Sequence, residues 1–282
     1  MSSPVTEAVT FWYGCNVLRH GDIIHACLDI LRALGFEPHP VGGPDYCCGT
    51  VKDANQTTAG GMATRTVGRL NERAAPVVAW CPSCHSHMHD FMEHAAERRF
   101  DMTYLVDLLY ARRDQLAPLL VHPVPMRVMV HKHVGFNELV PVNRMVPQLL
   151  GLIPGVEVVD AGYVAPGYMC ASFAAVPRAL DDIHLNTLAA AKTARADAVV
   201  TIFHQCYREL LGLDAAGAAP VYNYIQLLAR SMGIAYEDEY KAWKRAGEGA
   251  TELIGRERIE KVGIQFYERA ILPELKKRPN LP

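Results

Sequence analysis

The sequence predicts an α/β protein with parallel sheets, made of two similar units and a helical C-terminal extension. Short apolar runs alternate with longer amphipathic segments over most of the chain. Such alternation is typical of parallel strands connected by helices. It occurs once before and once after the proline-rich stretch 118–125, which suits a linker. A length of 282 residues, of which 50% are hydrophobic, allows two cores of ordinary size.

Two predicted strands of the first unit, residues 1–122, each end at a cysteine. Residues 8–15 are a β-rich run that ends at Cys15, and residues 75–81 are a short apolar run that ends at Cys81. In parallel α/β sheets, ligands lie beyond the carboxyl ends of the strands. The two cysteines are therefore expected at the edge of the sheet where a site forms.

Helices are predicted between and after these strands. Residues 22–35 place apolar side chains on one face, with Asp22 as the expected N-cap and Gly35 as the C-terminal stop. A second helix is predicted over 57–74 and a third after Cys84. The first of these helices would be the crossover connection that a parallel sheet needs.

The second unit, residues 123–235, repeats the pattern of the first. Residues 126–134 resemble the first strand, and residues 196–206 match residues 74–84. The cysteines keep a constant offset, because Cys170 follows Cys48 and Cys206 follows Cys84 by the same 122 positions. These matches indicate two copies of one α/β unit.

The last segment, residues 236–282, lies outside the repeat and is rich in charged residues. Its apolar residues recur at helical spacing, which predicts helices. A solvated helical extension and a surface that docks to another protein of a complex are both compatible with this composition.

Composition limits the classes of function. A net charge of −2 gives no excess of positive charge that would attract nucleic acid. The sequence has neither a run of about 18 apolar residues, as a membrane helix needs, nor a secretory leader pattern, so a cytoplasmic protein without a membrane span is expected. Eight cysteines in that compartment favour metal or redox chemistry over a disulfide framework.

Five of the cysteines form a set with wide, regular spacing. The set contains two neighbours and a CxxC pair: Cys15, Cys47, Cys48, Cys81 and Cys84. Neighbouring cysteines bridge each other only with strain, whereas a CxxC turn lets two sulfurs reach one metal centre. Four thiolates satisfy one zinc ion, and the fifth favours an iron–sulfur cluster. A thioredoxin-like pair, a zinc-structured scaffold and simply buried cysteines remain alternatives.

Together with Gly49 and Pro82, this spacing resembles the cysteine-rich CCG domain of the heterodisulfide reductase B family. The resemblance covers about residues 1–235. In that family, each complete motif holds a non-cubane [4Fe-4S] cluster, in which two smaller iron–sulfur units share an iron. The resemblance therefore implies one such cluster per chain, with these ligands: Cys15, Cys47, Cys48, Cys81 and Cys84.

The family uses such clusters to cleave or form disulfides, and it exchanges electrons through a ferredoxin-like iron–sulfur subunit and a flavoprotein subunit. The resemblance thus implies an oxidoreductase subunit, active with these partners, that acts on a thiol/disulfide or lipoyl-type sulfur carrier. Related CCG proteins occur in a sulfur-oxidising heterodisulfide reductase-like complex, in fumarate or succinate:quinone oxidoreductases, and in lactate or glycolate oxidases. A non-catalytic electron-transfer or anchoring subunit of such an oxidoreductase is therefore an alternative.

The second unit departs from the full motif, since it retains only Cys170 and Cys206. These two are expected close together, near His204 and one of His131 and His133. A substrate-facing thiol pair, a second metal site of Cys and His ligands, and a vestigial core are all open. The incomplete motif favours the sulfur-oxidising branch of the family.

One histidine is a candidate for proton handling. His85 follows Cys84 directly, within a run that contains three further histidines on the helix predicted there. A solvated helix face is the alternative explanation of this run.

Overall fold

The structure, a computed structural model, describes residues 7–50 and 54–279. It contains two parallel sheets with helices between the strands, which confirms the predicted α/β class. The strands are β1 (Glu7–Trp12), β2 (Phe36–Val41), β3 (Val77–Ala79), β4 (Met102–Tyr104), β5 (Met126–His133), β6 (Val156–Val159), β7 (Val164–Ala165), β8 (Ala198–Thr201) and β9 (Val221–Asn223).

Sixteen α-helices connect and follow these strands in the described residues. They are α1 (Gly21–Ala33), α2 (Gln56–Asn71), α3 (Pro82–His87), α4 (Glu93–Ala95), α5 (Leu105–Ala111), α6 (Arg113–Leu116), α7 (Phe136–Leu139), α8 (Val142–Leu150), α9 (Pro177–Thr193), α10 (His204–Ala215), α11 (Tyr224–Ser231), α12 (Glu239–Ala246), α13 (Ala250–Ile254), α14 (Arg256–Val262), α15 (Ile264–Phe266) and α16 (Leu272–Lys276). Within the described ranges, none of them combines the length and apolar composition needed to cross a bilayer.

The two sheets have the same order of strands. The first runs β2-β1-β3-β4 and the second β6-β5-β8-β9, with the short β7 paired to β5. Every pair is parallel. The sheets lie within the two predicted units, but the unit boundaries at 122 and 235, and the second unit as a CCG domain, stay predictions.

Strand β2 was not predicted from the sequence, because Pro38 and Pro40 interrupt it. Proline lacks an N–H donor and is tolerated mainly in edge strands. β2 is the edge of the first sheet and pairs with β1 alone, with Pro38 opposite Val9 and Pro40 opposite Phe11. The edge position explains why a proline-containing segment forms a strand here.

The start of α1 differs from the prediction. Asp22 is not the N-cap; that position belongs to His20, in a left-handed conformation with φ of 56°, and the helix begins at Gly21. Asp22 lies in the first turn and accepts a hydrogen bond of 2.7 Å from Gln226 Nε2 of α11. The carboxylate therefore connects the two halves of the chain instead of capping its own helix.

The C-terminal segment is packed against the body of the protein rather than solvated. Tyr240, Trp243 and Leu275 are buried in the same hydrophobic core as both sheets. Arg19 donates two hydrogen bonds to the Glu274 carboxylate, at 2.8 and 2.9 Å. The charged composition of this segment thus includes a buried ion pair to the first unit.

Candidate functional site

The five N-terminal cysteines, which we call the five-cysteine site, meet beyond the carboxyl edge of the first sheet. Cys15 lies three residues beyond the end of β1, and Cys81 lies two residues beyond β3 and precedes α3. Cys47 and Cys48 follow a short 3-10 turn at Pro44–Tyr46. The ends of the two strands and this turn therefore bring the sulfurs to one place.

Contacts between the thiols join all five sulfurs in one series. Side-chain contacts link Cys47 to Cys15 and to Cys48, and Cys84 to Cys48 and to Cys81. These contacts lower the pKa of Cys47 and of Cys81. They raise the pKa of Cys15 and of Cys84, and the contact with Cys47 raises that of Cys48. The five sulfurs are thus adjacent to one another, as ligands of a common metal group must be.

One end of the series of sulfurs is exposed to solvent. Cys15 is exposed, whereas the other four cysteines are buried. Cys84, at 1% exposure, is the most deeply buried of the set. A molecule that reaches these sulfurs from solvent therefore meets Cys15 first.

Two glycines allow close packing of the backbone at the five-cysteine site. Gly14 has φ of 75°, and a Cβ at this position would lie 2.9 Å from Cys81 Cβ and 3.3 Å from the sulfurs of Cys81 and Cys84. Gly49 has φ of 95°, and a Cβ there would lie 2.9 Å from the Ala59 carbonyl oxygen of α2. Both positions need a residue without a side chain.

Hydrogen bonds fix the loop that carries the neighbouring cysteines. Thr66 Oγ1 of α2 donates to the Cys47 carbonyl oxygen at 2.8 Å, and Trp12 Nε1 donates to the Tyr46 carbonyl oxygen at 2.9 Å. The Cys48 sulfur lies 3.0 Å from Thr50 Oγ1. The loop is therefore tied to both α2 and β1 beside the site.

Residues of the second half close over the CxxC pair. Gln205 Nε2 donates to Ser83 Oγ at 2.8 Å and lies 3.9 Å from the Cys81 sulfur. The His204 ring lies 4.5 Å from the Trp80 ring. The contact with Cys84 is the main cause that lowers the pKa of Cys81, and the neighbouring His204 lowers it further. Neither residue was predicted for this site, although Gln205 follows Ser83 by the 122 positions of the repeat.

His85 occupies a packed position. It is 6% exposed, and its ring contacts His89, Tyr104 and Phe136. Burial lowers its pKa to about 4, so the ring is neutral at pH 7. Among its described ring contacts there is no sulfur, and the predicted role in proton handling stays a prediction.

A second group of possible metal ligands lies at the corresponding edge of the second sheet. We call it the His/Cys cluster: His131, His133, Cys170 and Cys206. All four side chains are buried, and one ligand atom of each lies within 4.8 Å of all the others. The Cys170 sulfur is 3.3 Å from His131 Nε2 and 3.4 Å from His133 Nε2.

The His/Cys cluster contains both expected cysteines but does not contain His204. His204, expected beside Cys206, instead packs against His20 and Trp80. Cys170 and Cys206 are close together, since the Cys170 amide donates to the Cys206 sulfur at 3.3 Å. Both are fully buried, so a thiol pair that faces substrate would require the fold to open.

The eighth cysteine belongs to neither group. Cys27 lies on α1, is 1% exposed and packs in the hydrophobic core. Burial raises its pKa well above the usual value. Its sulfur acts as a small apolar group.

Comparison with known proteins places the five-cysteine site within a described domain. Residues 9–89 match the family model for CCG, a cysteine-rich domain, which is found in heterodisulfide reductase B. This segment contains the whole five-cysteine site and ends before the His/Cys cluster. No curated protein matches the chain.

Comparison with solved structures adds little to the description of the fold or of the site. A cysteine mutant of arylmalonate decarboxylase in a sulfate-associated form is 16% identical, over 82% of this chain and 95% of its own, with a TM-score of 0.27. The unliganded form of arylmalonate decarboxylase is 15% identical over the same shares, with a TM-score of 0.26. These scores are too low to bear on the fold or the function.

Proposed function

We propose that this protein is the iron–sulfur subunit of a heterodisulfide reductase-like complex. Its five-cysteine site would hold one non-cubane [4Fe-4S] cluster and perform thiol/disulfide or sulfane-sulfur redox chemistry. The observation that carries the proposal is the continuous series of five sulfur atoms inside the segment that matches the CCG domain.

The donor set fits an iron–sulfur group better than a single zinc ion. A structural zinc takes four ligands, and all five donors here are sulfur. The space that Gly14 leaves beside Cys81 and Cys84 would be filled by any side chain. A scaffold of four cysteines around zinc would leave one thiol of the series without a role.

When bound, the cluster would exchange electrons with sulfur in the substrate, in the direction that the complex requires. Reduction of a disulfide consumes two electrons and two protons and yields two thiols. We propose that the electrons pass through a ferredoxin-like and a flavoprotein subunit, and that the substrate is a thiol/disulfide or lipoyl-type carrier. The incomplete second unit supports the sulfur-oxidising branch of the family.

The substrate would approach on the side of Cys15. The cleft between the halves is closed next to Cys81, because Gln205 and Ser83 are hydrogen-bonded across it and Ser83 Oγ lies 3.5 Å from the Met169 sulfur. Cys15 is the one exposed member of the site. Its position at the open end favours direct contact between substrate sulfur and the cluster edge.

The test is the iron and sulfide content of protein purified without oxygen. We expect a brown protein with about four irons and four sulfides per chain. Cys48→Ser should lose the colour and most of the iron, because Cys48 lies in the middle of the sulfur series. Cys27→Ser, at a buried cysteine outside the series, should keep both.

A colourless wild-type protein with one stoichiometric zinc at the five-cysteine site would contradict the proposal and support the zinc scaffold. Oxidation of the reduced cluster by a disulfide or lipoyl-type substrate would identify a catalytic subunit. Oxidation by a partner protein alone would identify an electron-transfer or anchoring subunit.

A variant at the interface between the two halves of the chain should change the reduction potential of the cluster. Donors near cluster sulfurs raise the reduction potential, and Gln205 Nε2 points to the Cys81 sulfur from 3.9 Å. We therefore expect Gln205→Leu to lower the midpoint potential while the iron content stays unchanged. A redox titration followed by electron paramagnetic resonance measures the shift, with Gln148→Leu on the exposed α8 surface as a control. An unchanged potential would show that Gln205 acts only in packing.

A further inference from the structure

The His/Cys cluster has hydrogen-bond partners that determine where its ring protons lie. His133 Nδ1 is 2.8 Å from the Pro166 carbonyl oxygen, which can only accept, so Nδ1 carries the proton. The hydrogen-bond network thus assigns the lone pair of the neutral ring to Nε2, the atom that points into the cluster.

The second histidine has the same arrangement. His131 Nδ1 lies 3.1 Å from Thr187 Oγ1, whose own proton is donated to the Ile183 carbonyl oxygen at 2.6 Å. The hydroxyl must therefore accept from Nδ1–H. Two neutral rings direct their Nε2 lone pairs at each other across 3.0 Å. Their repulsion is relieved either by a proton on one Nε2 or by a metal cation that both atoms bind.

The distances correspond to four ligands of one small metal ion. Zinc bonds of about 2.0 Å to nitrogen and 2.3 Å to sulfur in a tetrahedron separate two nitrogens by about 3.3 Å and a nitrogen from a sulfur by about 3.5 Å. The observed separations are 3.0 Å between the two Nε2 atoms and 3.3 and 3.4 Å from them to the Cys170 sulfur. These three side chains need to move apart by only a few tenths of an ångström, and the Cys206 sulfur lies within 4.8 Å of each of their ligand atoms.

The donors and their charge select the ion. Two thiolates and two neutral imidazoles around a divalent cation have no net charge, which suits a site where all four residues are buried. A two-iron cluster with the same ligand types would place the histidines and the cysteines on different irons. Mutual distances of 4.8 Å or less fit one ion instead.

We infer that the His/Cys cluster binds one structural zinc ion. The Nδ1–H groups of both rings are held by a carbonyl oxygen and by a hydroxyl, the outer contacts that orient histidine ligands of metals. The Cys170 amide donates to the Cys206 sulfur, which stabilises a thiolate there. This inference does not depend on the proposed iron–sulfur function.

The zinc ion would also fix the residues that cover the first site. Cys206 lies in the first turn of α10, next to His204 and Gln205, which contact the CxxC segment. Binding of Cys206 to zinc holds this turn in place. The second unit thus positions a cover for the five-cysteine site.

The test is the zinc content of the purified full-length chain and three variants, measured by elemental analysis. We expect about one zinc per chain in the wild type. Cys48→Ser should keep the zinc, because it alters only the five-cysteine site, and Cys27→Ser should keep it as a buried-cysteine control. Cys206→Ser should reduce the zinc content at least tenfold.

A spectroscopic measurement covers the case in which Cys206→Ser does not fold. A variant with Cys48→Ser, Cys81→Ser and Cys84→Ser together leaves only two thiols in the five-cysteine site, too few for a tetrahedral thiolate site there. This protein, freed of metal under reducing conditions, is titrated with Co²⁺. We expect one equivalent to produce the intense visible bands of tetrahedral cobalt with thiolate charge transfer, and Zn²⁺ to remove them. Iron in place of zinc, zinc that disappears in Cys48→Ser, or weak bands of octahedral cobalt would each overturn the inference. Loss of iron in Cys48→Ser with retained zinc separates this result from the proposed function.

Discussion

Gly14→Ala is expected to lose most of its iron and to unfold more easily than the wild type. The new Cβ would lie 2.9 Å from Cys81 Cβ and 3.3 Å from two sulfurs, in a backbone conformation with φ of 75°. Strain of this φ and the clash together should cost about 2 to 4 kcal/mol. Urea unfolding measures the loss of stability, and iron and sulfide analysis of anaerobic protein measures the loss of the cluster.

Alanine variants of two further glycines distinguish the effect of the steric clash from the effect of the backbone strain. Gly35 has φ of 87° but no atom within 4 Å of an added Cβ, so Gly35→Ala should lose about 1 to 2 kcal/mol and keep its iron. Gly21, where an added Cβ also meets nothing within 4 Å, begins α1, and Gly21→Ala should change stability by less than about 0.5 kcal/mol. Normal iron content in Gly14→Ala would mean that no group occupies the space beside Cys81.

Glu274→Gln is expected to have the largest effect on stability of any change in the C-terminal segment. The carboxylate is bound by Arg19 at 2.8 Å and lies 3.4 Å from Arg208, with 15% of its side chain exposed. Removal of one partner from a buried ion pair leaves the arginines without a counter-charge and should cost about 3 kcal/mol. Urea unfolding at pH 7 gives this value directly.

The same carboxylate should make stability depend on pH. Burial raises the pKa of Glu274, but Arg208 and Arg19 outweigh it and lower the pKa to about 2, from an ordinary value of 4.5. The unfolded chain therefore binds the proton more tightly than the folded chain between these values. The contribution of Glu274 is complete above about pH 4.5 and is lost as the pH falls toward 2, so the slope of stability in this window should be shallower in Glu274→Gln.

A matched control exists in the same segment. Glu257 pairs with Lys261 at 2.8 Å on α14, and 83% of its side chain is exposed. Exposed pairs contribute about 0 to 1 kcal/mol, so Glu257→Gln should be nearly neutral. Equal effects of the two glutamine variants would show that the C-terminal helices do not dock through Glu274.

Much of the fold could be predicted from local patterns in the sequence. Apolar runs that end at Cys15 and Cys81 marked the central strands of the first sheet, and the spacing of residues 22–35 marked α1 within two residues at each end. The edge strand β2 was missed because two prolines carry a non-strand signal wherever they occur. Whether a proline-containing segment becomes an edge depends on which neighbour it pairs with, and the segment itself does not encode that.

The five-cysteine site was likewise accessible, because its donors are identified by residue type and by spacing in the chain. The His/Cys cluster was only partly accessible. Cys170 and Cys206 carried the repeat spacing, whereas His204 was a closer neighbour in sequence than the two histidines that the structure brings to the sulfurs. His204 is the first residue of α10, and its ring packs against Trp80 of the first unit instead.

The sequence by itself determined the alternation of strands and helices, the parallel sheets that follow from it, and the set of thiols at the ends of the strands. These properties depend on residue type and local period, which a linear pattern records completely. Only the tertiary structure decided that His131 and His133 join the second pair of cysteines, that Gln205 covers Cys81, and that Glu274 binds Arg19. These contacts join residues far apart in the chain, and their geometry depends on how helices and strands from both units pack on a shared core.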